Sequence, residues 1–298
     1  VFFYFKEGIF RQLNLNLTSK FKQFYMYKLL LSVVFVLTIL GSTYSQSPGC
    51  ANIIAPPDFT LPCASPCTTL TAVPFHVGAT TTYTVSSIPH APVIPYGSAG
   101  GTVVSAGTDD VYSPLITLPF PFCFYGNTYT QCKVGSNGNI QFGAPGGGFC
   151  LWSFTANIPS ATLPVNSIFG AFHDIDPSVC GTIKWFLTGT SPCRMLVVNF
   201  NNICHFSCTS LHSTHQMVLY ETTNVIEVHV LQKQTCAGWN GGRAIIGIQN
   251  STGAIGLAAP GRNSTPTWTV GGAGEAWRFT PNGAPIYTVS WFEGPTLL

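Results

Sequence analysis

Charge is what this chain has least of. Lysine, arginine, aspartate and glutamate make up 7% of its 298 residues, against about 25% in an ordinary soluble domain. A formal net charge of +2 leaves no basic footprint for nucleic acid or for anionic lipid. Only ten residues are acidic, so few carboxylate pairs exist for glycosidase-type chemistry. Helical periodicity is missing outside one apolar stretch near the start. No G-x-S-x-G nucleophile elbow occurs, since "GSNG" around Ser136 lacks the pattern and its Asn-Gly already reads as a turn. Disorder is excluded by the opposite excess, 13% aromatic and 46% hydrophobic residues. Gly 30 and Pro 22 mark a turn-rich body.

Residues 26–45 read as a secretory signal peptide. Lys28 precedes a largely apolar run from Leu29 to Leu40, and Thr43 and Ser45 stand at minus three and minus one of a cleavage before Gln46. The run is shorter than the ~20 residues a membrane-spanning helix wants. Residues 1–25 hold no methionine and read as upstream translation outside the fold. Without both segments the chain loses Lys6, Arg11, Lys20, Lys22, Lys28 and Glu7, and its formal net charge moves from +2 to −2. The expected location is secreted or cell-surface, where thiols oxidise. All 11 cysteines follow the leader: Cys50, Cys63, Cys67, Cys123, Cys132, Cys150, Cys180, Cys193, Cys204, Cys208 and Cys236. They are expected mostly as disulfides, with one left over from the odd count. Cys208 with Cys236 is the preferred pair, because the strand before Cys236 should lie beside the hairpin that follows Cys208.

Residues 46–67 form a proline-rich, extended lead-in. From 68 to 281, runs of four to eight β-branched and aromatic residues recur between Gly, Pro and Asn. Such spacing predicts an all-β domain, a β-sandwich of many short antiparallel strands tied by disulfides. "MVLYETTNVIEVHV" alternates on both sides of Asn224, with Met217, Leu219, Val225 and Val228 as inward candidates. "KVGSNGNIQF" turns at Asn137–Gly138. Residues 282–298 alternate cleanly and read as the start of a truncated Ig-like or PKD-like repeat.

Several segments, in this order, resemble the nidogen-like (NIDO) extracellular domain: "VGSNGNIQFG", "SIFGAFHDIDPSVCGTIKW", "THQMVLYETTNVIEVHV", "AIIGIQNSTG" and "EAWRFTP". "DDVYSPLITLPFPFCFYGNTYTQC", "CAGWNGGRAIIGIQN" and "APGRN" are similar to the N-terminal regions of large surface proteins that gliding Bacteroidota export by type IX secretion. The resemblance spans about Phe59 to Pro281. It implies adhesion or a structural surface role without catalysis, and it brings no catalytic motif with it.

Residue chemistry offers three candidate sites. "NICHFSCTSLHSTHQ" holds Cys204, His205, Cys208, His212 and His215. Zinc would want a tetrahedral set from Cys204, Cys208, His212 and His215, but their spacing fits no well-attested pattern. In an oxidising compartment the disulfide reading takes precedence, with the histidines on the surface or at a strand edge. "HDIDPS" puts Asp174 and Asp176 on one side of an extended strand. Calcium needs six to eight oxygens, so Asp109, Asp110 or loop carbonyls would have to converge there. The simpler reading has Asp174 or Asp176 capping the local turn. Trp152, Trp239 and Trp268 are ligand-contact candidates, although Trp152 and Trp239 each lie within three residues of a cysteine and so suit core packing or disulfide shielding.

The expected function is a non-catalytic adhesion or structural module of a larger surface protein. No cofactor is expected, with calcium as the one alternative. The expected partner is an extracellular protein or glycan, not nucleic acid, with membrane contact only through the leader or through parts outside this chain. The rivals are a secreted carbohydrate-active hydrolase or its binding accessory, and a calcium- or zinc-dependent binding domain. The hydrolase would have to pair Asp174 with Glu221 or Glu227, two glutamates that read as solvated strand positions.

Overall fold

The computed structural model describes residues 49–50, 52–54, 69–104, 107–144, 146–293 and 296–297. The leader, the upstream segment, Cys63 and Cys67 lie outside them. By its contacts Pro48–Leu298 is a unit of its own.

One sheet has eight strands: β3 (Tyr83–Ile88), β4 (Thr102–Val103), β9 (Ile175–Asp176), β10 (Thr182–Thr188), β11 (Met195–His205), β12 (His212–Tyr220), β13 (Ile226–Lys233) and β16 (Glu275–Pro281). Its order is β3-β16-β13-β12-β11-β10-β4, with β9 paired to β11. The second sheet has six: β5 (Ile116–Phe124), β6 (Asn127–Gly135), β7 (Asn139–Phe142), β8 (Ser167–Phe172), β14 (Ala244–Gln249) and β15 (Gly256–Thr265), in the order β15-β14-β8-β7-β6-β5. Two small ladders lie nearer the ends of the chain, β1 (Asn52–Ile54) with β2 (Val73–Phe75) and β17 (Phe292–Glu293) with β18 (Thr296–Leu297). This is the all-β, antiparallel, sandwich-like class that the short β-branched runs predict. Residues 282–286 run back along 77–82, with Asn282 N–H on the Thr82 carbonyl (3.0 Å) and Ile286 N–H on that of Val77 (3.3 Å).

Both sheets contribute to one apolar core. Phe122, Phe124, Ile140, Ile168 and Ile248 of the second sheet share it with Leu196, Phe200, Met217, Leu219, Val228 and Phe279 of the first. Each such fully buried side chain contributes roughly 1.5–3 kcal/mol. The outer faces are covered as well. Val93 and Ile94 pack on Val197, Val218 and Tyr220, while Leu151, Phe154 and Leu163 pack with Phe169, Phe172 and Ile245. Val225, expected on the inner face with Met217 and Leu219, belongs instead to that outer cluster. Covering a sheet on both faces erases the apolar–polar alternation from its strands.

The chain crosses between the sheets just after β8. Ile168 and Ser167 still pair with β7, whereas Ile175 and Asp176 pair with His205 and Cys204 of β11. Asn137 braces the crossing: its carbonyl accepts the His173 N–H (3.1 Å) and its Oδ1 accepts that of Ile175 (3.1 Å). The "NG" turn is therefore buried, with Asn137 at 0% exposure. Gly138 sits at φ 95°, and a Cβ there would lie 2.9 Å from the Ala171 carbonyl oxygen, so only glycine suits the turn. At this same end β11 and β12 are irregular, with two residues of β11 set against Thr214 between the pairs Phe200–His215 and Ile203–Ser213. Bulges of this kind re-aim side chains.

Candidate functional site

Three carboxylates meet where the chain changes sheets. Asp109 and Asp110 come from the loop after β4, and Asp174 from the crossing. One ligating oxygen from each lies within 4.8 Å of the other two. Asp109 Oδ1 accepts the backbone N–H of Asp110 (2.9 Å), Asp110 Oδ1 accepts the Asn137 amide (2.9 Å), and Asp174 Oδ2 accepts the Trp239 indole N–H (2.7 Å). The second oxygen of Asp174, Oδ1, is buried and meets no donor among the described residues. Burial, reinforced by the charges of Asp110, Asp109 and Asp176, pushes the Asp174 carboxyl up to about 7, against the indole N–H that favours its anion. Burial first, then Asp110 and Asp176, lifts Asp109 to about 6. Asp110 is raised as well, again chiefly by burial and against the Asn137 amide.

Asp176 is used differently. Its Oδ1 takes the Ser178 N–H (2.8 Å) and hydroxyl (2.5 Å), the local turn capping that the sequence allows for either aspartate. Asp174 makes no such turn.

Beside the carboxylates stands an aromatic surface. Trp152 and Trp239 stack at 5.7 Å between ring centroids with 19° between planes, and Phe206, 37% exposed, lies 5.1 Å from Trp239. Asn240 ties the two loops by donating to the Trp152 carbonyl (3.1 Å) and accepting from Ser153 (3.1 Å). Trp268 does not join them. It is buried, its indole N–H is on the Ala244 carbonyl (3.2 Å), and Lys233 and Arg262 each lie 4.6 Å from its ring centroid. Its shielded faces make it a packing residue, which corrects its reading as a ligand contact.

The cysteine–histidine segment closes the same end of the sandwich. Cys208 is bonded to Cys236 and Cys204 to Cys180, with Cα separations of 5.9 and 5.3 Å, while Cys50 is bonded to Cys193. Cys180, Cys204 and His212 do converge, but both sulfurs are in a disulfide, so this segment offers zinc no thiolate. Against the single unpaired cysteine expected from the odd count, Cys123, Cys132 and Cys150 are all thiols. Cys132 and Cys150 are buried in different apolar clusters.

The histidines are not at the surface. His205 and His215 are buried at 1% and 0% exposure, and His212 is half-buried. His173 and His205 both reach the hydroxyl of Ser213, at 2.8 and 2.9 Å. One hydroxyl can donate to only one of them, so the other imidazole donates to it. Burial pushes His205 down to about 4 and His173 well below its usual range, so both are neutral. Ser213 has 0% exposure. A water-sized cavity beside the two imidazoles is lined by His173, Asp174, His205, Lys233, Trp239 and Arg243.

Nor are the glutamates solvated. Glu221 takes a bidentate pair from Arg194 (2.8 and 2.5 Å), and Glu227 accepts from Arg278 (2.7 Å) and Tyr220 (2.8 Å) and meets His229 (3.0 Å). Buried charge persists only with such partners. Sequence reasoning missed Asn137, Ser213, His173 and Phe206 as parts of this region. The signal for His173 and Asn137 was their place in "HDID" and "SNG".

A family model described as NIDO related matches residues 82–283. No curated protein and no solved structure gives a significant match. The matched stretch runs from β3 through β16 and takes in both sheets, the three aspartates and the tryptophan pair. The chain belongs to the NIDO-related family.

Proposed function

We propose that this chain is a non-catalytic, extracellular binding or structural module of a larger surface adhesin of the type IX-secreted kind, and that the face built from Trp152, Trp239 and Phe206 beside the aspartates contacts its partner. The observation that carries the reading is the covalent clamping of that face. The Cys208–Cys236 and Cys180–Cys204 disulfides fix the loops bearing Phe206, Trp239 and the turn after Asp176, so an aromatic surface is held ready before any partner arrives. Pre-organised aromatics of this type are anchors for protein or sugar partners. The disulfides and the family membership also suit an extracellular location.

Glycan and peptide arrays probed with the chain test the proposal. Trp239→Ala and Trp152→Ala should each weaken a detected interaction by about tenfold or more, with the melting curve still cooperative. Turnover of any arrayed glycan or peptide that disappears in Asp174→Asn would make the domain an enzyme and overturn the reading.

A further inference from the structure

The three aspartates raise a separate question, because the fold brings them together at a cost. Like charges in a partly desolvated place repel one another, and among the described residues none of the three is paired with a lysine or arginine. Asn137, itself fully buried, bridges the two segments that carry them, donating to Asp110 and accepting from Ile175. Asp110 holds a left-handed backbone at φ 53°, which a non-glycine residue adopts at a cost. A second observation points to a ligand. Asp174 is 6% exposed, its Oδ2 is held by the Trp239 indole, and its Oδ1 is buried without a donor among the described residues. A buried carboxylate oxygen left in that condition is costly.

We propose that Asp109, Asp110 and Asp174 form a binding site for one calcium ion. The donor set, three carboxylates, fits a hard cation. Oxygens that share an ion at about 2.4 Å, within the calcium range of bond lengths, lie no more than about 4.8 Å apart. The three oxygens already lie within 4.8 Å of one another. Asp109 and Asp110 are only half-buried, which leaves a way in for the ion and room for water to complete its shell. An ion there would neutralise the repulsion, satisfy Asp174 Oδ1, and lock the loop after β4 onto the crossing and, through Trp239, onto the aromatic face. The choice of calcium rests on the extracellular reading, where a site of modest affinity is filled at millimolar concentrations. The existence of the site does not depend on any adhesive partner.

Calorimetric titration and melting of the chain in EDTA and in calcium test the site directly, without an adhesive ligand. Wild type should bind one calcium with a Kd of about 10⁻⁴–10⁻³ M, the range of extracellular modules, and should melt higher in about 10 mM calcium. Asp109→Asn and Asp174→Asn should each weaken binding by about tenfold or more. In EDTA both variants should melt no lower than wild type, because each removes a repelling charge and keeps an oxygen acceptor. A merely structural aspartate would lower the melting point in both conditions. Terbium in place of calcium should give emission sensitised by the adjacent indole, reduced in Trp239→Phe. No calcium-dependent rise in wild type, or an equal rise in Asp109→Asn, would overturn the proposal.

Discussion

His215 lies between the sheets, stacked on Phe200 at 4.3 Å between ring centroids, with neither ring nitrogen hydrogen-bonded among the described residues. Burial pushes it down to about 3, so it stays neutral in the folded protein at any ordinary pH. Unfolded, it titrates near 6.5. Below that value the unfolded chain binds the extra proton, so the stability linked to His215 is fully present above pH 6.5 and is lost as pH falls towards 3, by about 1.4 kcal/mol per pH unit. His215→Leu should remove that much of the slope between pH 5 and 6, as read from urea denaturation at both values. The ring has room only because its neighbours lack side chains: a Cβ at Gly170 would lie 2.6 Å from His215 Cδ2. Gly170→Ala should therefore cost about 1–3 kcal/mol by overpacking. In a His215→Ala background most of that cost should vanish, a coupling that a double-mutant cycle measures.

Strands were legible here, while their faces were not. The runs from "KVGSNGNIQF" to "EAWRFTP" became β6, β7 and β16, as β-branched and aromatic content implies. The alternation rule failed for β8, β12 and β14 because loops cover their outer faces. Gln216 shows why, since its side chain donates to the Ile94 carbonyl (2.8 Å) and accepts the Val93 N–H (2.8 Å), 122 and 123 positions away. Glu221 and Glu227 were misread for the same reason: Arg194 and Arg278 reach them across the sheet from 27 and 51 positions away. The disulfide between Cys208 and Cys236 joins the β11–β12 loop to the segment after β13. Replacing both by alanine should cost about 2–4 kcal/mol and loosen the stack of Trp239 on Trp152, seen as a shift in tryptophan emission. Burial pushes the thiols of Cys132 and Cys150 up to about 12, so a thiol reagent should reach them only on unfolding. Half-buried Cys123 should label first, and fewer than three equivalents taken up by the denatured, unreduced protein would contradict the pairing described.

A charge-poor composition left few polar residues to place, and the fold concentrates many of them at one end. Asp109, Asp110, Asp174 and Asp176, the His173–Ser213–His205 trio and two of the three disulfides among the described residues gather where the chain passes from the second sheet to the first. The "HDID" and "DD" segments were both noticed in the sequence, but their meeting was not legible, because it depends on Asn137 joining residues 27 and 38 positions away. Family membership places this arrangement in a NIDO-related domain. As a clamped contact face, that end would be ordered further by a cation. Hydrogen–deuterium exchange of the chain, compared in EDTA and in millimolar calcium, examines this region by region. Slower exchange with calcium in residues 107–112, 173–178 and 236–242, with the strands of the sandwich unchanged, is the expected result. Exchange that is the same in both conditions at those three segments would contradict it.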